Sequence, residues 1–71
     1  MILVFKTSVE NESEVKKIAP MLDRLLEGNG SWNFDLEDCD RILRVVTEQK
    51  NVKDIALAVE KSGYYCEELE D

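Results

Sequence analysis

Histidine is absent from the 71 residues, proline and tryptophan occur once each, and glycine occurs three times. Without an imidazole the chain lacks the ordinary general base for a serine or cysteine nucleophile, and it lacks the commonest neutral metal ligand. The glycines stand apart at Gly28, Gly30 and Gly63, in turn and cap positions, so there is no glycine-rich phosphate loop. Catalysis is not expected. Long apolar runs are missing too. Met1 to Phe5, a length no other apolar run exceeds, falls far short of the ~18 residues that mark a membrane span, and no basic segment precedes it. Neither a secretory signal nor a membrane anchor is therefore expected, which points to the cytoplasm. Two cysteines in that setting read as free thiols rather than a disulfide framework.

Positive charge is also scarce. Nine basic residues face 16 acidic ones, a formal net charge of -7. A phosphate backbone or an anionic bilayer would on balance be repelled. Lys16 and Lys17 form only a short pair, and Arg41 and Arg44 lie near acids, so no basic stripe offsets the deficit. Neither nucleic acid nor membrane is expected as a partner.

What is present is enough for one compact domain spanning 1–71. Hydrophobic residues make up 44% of the chain and charged residues 35%, a balance that supplies apolar surface to offset the entropy of ordering. A domain this small hides about 60% of the surface of its unfolded chain, so stability should be modest.

Ile2, Leu3, Val4 and Phe5 read as a strand. From Asn11 the period changes: Val15, Ile18, Leu22, Leu25 and Leu26 recur at helical spacing until Glu27, Gly28, Asn29 and Gly30 end the segment. Pro20 lies inside that helix, removes one donor and crowds the Lys16 carbonyl, so a kink is expected there. Trp32, Phe34 and Leu36 alternate with Ser31, Asn33 and Asp35 as a second strand. A polar turn over Glu37, Asp38, Cys39 and Asp40 leads to a third strand with Ile42, Leu43, Val45 and Val46, making a hairpin. Asn51 starts a second helix with Val52, Ile55, Ala56 and Val59 on one face and Asp54 as a capping-box acid. Ser62 and Gly63 close it. Tyr64, Tyr65 and Cys66 are expected as the last strand, followed by a mostly acidic end.

Strand, helix, hairpin, helix, strand defines an α+β, ferredoxin-like βαββαβ fold: an antiparallel four-stranded sheet of order 4-1-3-2 with both helices on one face. In that topology Asn11, Glu14, Cys39 and Tyr64 to Cys66 gather at one end.

Several segments narrow the choice within that fold. Phe5-Lys6-Thr7-Ser8-Val9 before a helix, Trp32-Asn33-Phe34-Asp35, Asp40-Arg41-Ile42-Leu43, and Ala58-Val59-Glu60-Lys61-Ser62-Gly63-Tyr64 resemble heavy-metal-associated domains over nearly the whole chain. The resemblance implies a Cys-x-x-Cys loop between the first strand and first helix, whose thiolates bind a soft cation such as copper(I) or zinc. Its two positions fall on Asn11 and Glu14, and neither supplies a thiolate. Asn11-Glu12-Ser13-Glu14 reads instead as a helix cap. No cofactor and no metal are expected. Two alternatives stay open. Glu10, Glu12, Glu14, Asp38 and Asp40 could form a hard-cation site, or Cys39 and Cys66 could act as soft ligands from different loops.

A protein partner or self-association is the remaining expectation. If Leu3, Phe5, Trp32, Phe34, Leu36, Leu43 and Val45 face the helices, then Ile2, Val4, Ile42 and Val46 face away on the open side of the sheet. An apolar cluster on such a face invites a partner. The bland alternative is that these residues only raise strand propensity, shielded by Arg44 and other long side chains. Tyr65, near the family's metal end, is a second candidate contact.

Overall fold

The computed structural model describes residues 2–28, 30–37, 39–48 and 52–69, with the backbone alone at 52. The elements run β1 Ile2–Thr7, α1 Glu12–Leu26, β2 Gly30–Asp35, β3 Ile42–Thr47, α2 Val52–Lys61 and β4 Cys66–Leu69. The strands form one antiparallel sheet in the order β2-β3-β1-β4, the arrangement expected from the sequence.

Each element follows from its apolar spacing. In β1, Leu3 and Phe5 point inward while Ile2 and Val4 point out, and Leu43 and Val45 do the same from the register-matched strand β3. α1 buries Ile18, Leu22 and Leu26, and α2 buries Ile55 and Val59, so both helices cover the same side of the sheet. Val9, in the loop after β1, belongs to the same core and is completely buried. Trp32 and Phe34 meet edge to face with ring centroids 5.9 Å apart, and the indole N–H donates to Asp23 of α1 at 2.8 Å, fixing β2 beneath that helix.

α1 runs through Pro20 without interruption. The proline is exposed, so water can reach the Lys16 carbonyl that it deprives of a partner. The helix ends on Glu27 in a left-handed conformation, with its N–H donating to the Asp23 carbonyl at 2.9 Å. For α2, the expected start at Asn51 lies outside the described residues, while Asp54 falls in the first turn as read.

Two boundaries differ from the sequence reading. β2 stops at Asp35, leaving Leu36 in the following bend, although Leu36 still packs against the core. The last strand is Cys66–Leu69 rather than Tyr64 to Cys66. Tyr64 instead packs on the core rim, and Tyr65 is tied to the loop after β1.

Candidate interaction surface

The end of the molecule where the loop after β1 meets the hairpin turn is cross-tied by backbone and hydroxyl groups. The Thr7 hydroxyl donates to the Arg41 carbonyl at 2.7 Å, and the Thr7 amide is shared between the Asp40 and Arg41 carbonyls. The Ser8 amide donates to the Tyr65 carbonyl at 3.2 Å, and the Ser8 hydroxyl accepts from the Tyr65 amide at 2.8 Å. These bonds bring the loop after β1, the tip of the hairpin and the loop after α2 together, as the topology required. Arg41 sits there at φ 49°, a left-handed conformation that ordinary residues avoid, and its guanidinium donates to the Leu36 carbonyl at 3.0 Å. The sequence reading gave Thr7, Ser8 and Arg41 no part in these ties. The available signal was two adjacent hydroxyl residues at the end of the first strand, a pattern that favours side-chain to backbone bonds.

Asn11 and Glu14 cap the start of α1. Asn11 Oδ1 accepts from the Glu14 amide at 2.9 Å, and Glu14 Oε1 accepts from the Glu10 amide at 2.7 Å. This is a capping box whose return bond lands one residue before the cap. An amide oxygen and a carboxylate spent in this way do not fit a soft cation, which needs anionic sulfur. The half-buried Tyr64 phenol lies beside Glu14, and its pKa is raised by burial and then by the Glu14 charge. Asn11→Ala should cost about 1 kcal/mol of stability by urea denaturation and leave the fold unchanged.

The two cysteines occupy different environments: Cys39 is exposed in the hairpin turn, and Cys66 is buried at the start of β4. Burial, followed by the charge of Glu60, pushes the Cys66 thiol up to about 12. A thiol held protonated is a poor ligand and a poor nucleophile. Asp38 lies outside the described residues. Among the described residues no three His, Cys, Asp or Glu side chains converge as they would around an ion.

A chemical test separates the thiols. Iodoacetamide should label Cys39 alone in the native protein and both cysteines in urea, read by mass spectrometry. The same burial sets a pH dependence. Because the fold favours the protonated thiol, its contribution is intact below the reference value of 9.0 and is lost as pH climbs toward about 12. Tyr64 and Tyr65 shift in the same direction, from 10.0 upward. Stability should therefore fall through this alkaline window, and less steeply in Cys66→Ala.

The other candidate surface is the sheet face opposite the helices. Ile2 and Val46 are cross-strand partners there, 67% and 48% exposed, and Val4 beside them is half-buried. Ile2 and Val46, together with Ser31, Asn33 and Arg44, line an open depression of about 240 Å³ that also touches Trp32, whose indole lies on the helix side of the sheet. Ile42 corrects the sequence reading. It lies on this side of the sheet yet is only 6% exposed, flanked in register by Lys6 and Asp35, of which Lys6 has a long aliphatic stem able to cover it. Lys6 also reaches Asp40 at 3.6 Å at that end, while Arg44 pairs with Asp35 at 4.0 Å. The apolar patch is thus shifted toward the Ile2 end of the sheet. Tyr65 is 51% exposed at the opposite end, close to Glu67, whose hydrogen bond raises its phenol pKa.

No family model, no curated protein and no solved structure matches the chain. Among the described residues no helix is long and apolar enough to cross a membrane.

Proposed function

We propose that this domain is a non-catalytic protein-interaction module, similar to heavy-metal-associated domains in form but not in chemistry, whose open sheet face makes the contact. The observation that carries this reading is the exposed Ile2–Val46 pair beside the depression on a helix-free face. Covering two partly exposed aliphatic side chains contributes on the order of 2–4 kcal/mol before the costs of association. Two further facts support it. The family's metal positions, Asn11 and Glu14, serve the helix cap, and the chain has no histidine to pair with a thiol.

The test compares the immobilised wild-type chain with Ile2→Lys and Val46→Lys, exposed positions where a lysine leaves the core untouched. At least one protein from extract of the producing cell should be retained by wild type. After purification it should bind each variant at least tenfold more weakly in calorimetry. If no protein distinguishes wild type from both variants, the reading fails. It also fails if the reduced chain takes up one copper(I) or zinc ion tightly and Ile2→Lys leaves that uptake unchanged.

A further inference from the structure

The sheet has two edges, and they are not alike. β4 is four residues long and carries Glu67 and Glu68, charges that discourage another strand from adding to it. β2 is six residues long, Gly-Ser-Trp-Asn-Phe-Asp, with no proline and no lysine, and its single charge stands at its last position. Nothing in its composition blocks pairing.

We infer that β2 is a self-pairing edge, through which two copies of this chain join antiparallel about a two-fold axis at Asn33 into one eight-stranded sheet. The inference goes beyond the open-face reading, since Ile2 lies two strands away from this edge. Directly opposed residues of an antiparallel pair share a face, so any register must match open-face residues with open-face residues. Ser31, Asn33 and Asp35 lie on the open face; Trp32 and Phe34 lie on the helix face. Centring on Asn33 satisfies this for all five positions. Asn33 meets its own copy, and a carboxamide can both donate to and accept from its twin. The Ser31 hydroxyl meets the Asp35 carboxylate twice. Trp32 meets Phe34 twice, covering the exposed halves of two half-buried rings with cross-strand aromatic pairs.

Charge also favours this edge. Glu67 and Glu68 sit on the far side of the sheet, about three strand spacings or ~14 Å from β2. The two Asp35 side chains would be separated by about four residues of strand, roughly 14 Å, beyond the ~8 Å screening length at physiological salt. The chain therefore meets itself away from the acidic β4 edge. Because each copy carries a net charge of -7, added salt should tighten the association.

Light scattering after size exclusion should show a monomer–dimer equilibrium, with the dimer fraction rising with protein concentration and with salt. Asn33→Lys should weaken it at least tenfold, whereas Ile2→Ser, on the open face, should leave it unchanged. A positional test fixes the register. In a Cys39→Ser background, oxidation of Asn33→Cys should yield a covalent dimer, because directly opposed Cα atoms lie within disulfide reach. Ser31→Cys, roughly 14 Å from its own copy, should remain monomeric. A monomer at every concentration and salt overturns the inference, as does cross-linking at position 31 equal to that at 33. A dimer lost in Ile2→Ser but retained in Asn33→Lys places the contact on the open face instead.

Discussion

Phe5→Ala should leave a large fraction of the chain unfolded in the absence of denaturant. Phe5 is completely buried on the central strand, between Leu43 of β3 and the β4 edge, and it faces both helices. Removing a buried phenylalanine costs about 3–5 kcal/mol, through lost transfer energy and the cavity left behind. A domain of this length has on the order of 4–10 kcal/mol in all. The substitution takes away from about a third of that reserve to all of it, and at the modest stability expected of so small a domain little is left. Ile2→Ala, on the other side of the same strand, should change stability by no more than ~0.5 kcal/mol. Urea denaturation followed by tryptophan fluorescence reads both, since Trp32 packs against the core. Equal costs for the two variants would mean that the sidedness of β1 is wrong.

Gly30→Ala should be the most damaging change of a single methyl group. Gly30 opens β2 opposite Thr47, and a Cβ there would overlap the Val46 carbonyl oxygen and come within 3.0 Å of the Thr47 Cα and Cβ. Those obstacles are mostly backbone, held in the β2–β3 ladder, so they yield only by breaking it. An overpacking cost of about 1–3 kcal/mol is a lower bound where main chain must move. Gly28→Ala is the informative control. Its Cβ would meet nothing within 4 Å, but φ of 80° charges it about 1 kcal/mol for backbone strain alone. The expected order in urea midpoint is wild type, then Gly28→Ala, then Gly30→Ala. Hydrogen exchange should show the third variant losing protection first in β2 and β3.

Element order was legible in the sequence because period-2 and period-3.6 patterns survive wherever one side of an element is buried. The cap at Asn11 and Glu14 was legible for a different reason: it is local, with both bonds closing within four residues. The last strand was misplaced because its residues contradict strand propensity. Glu67 and Glu68 are poor strand formers, yet both stay exposed on a short edge strand, while the two tyrosines that looked like strand serve the rim and a loop tie. Alternation assigned Ile42 to the correct face but could not show its burial, which depends on side chains of two other strands. The Thr7 and Ser8 ties were hidden for the same reason, since their partners are far away in sequence.

The strand order places β1, synthesised before the other five elements, in the interior of the sheet between β3 and β4. Its Thr7 is matched with Cys66, near the end of the described chain. On the ribosome, this apolar strand must therefore wait with one flank unpaired until the closing segment emerges. Such late, long-range closure slows folding and prolongs the exposure of Ile2, Leu3, Val4 and Phe5 to other nascent chains. Any fusion or truncation that delays or removes β4 should lower yield through aggregation, even with every helix intact.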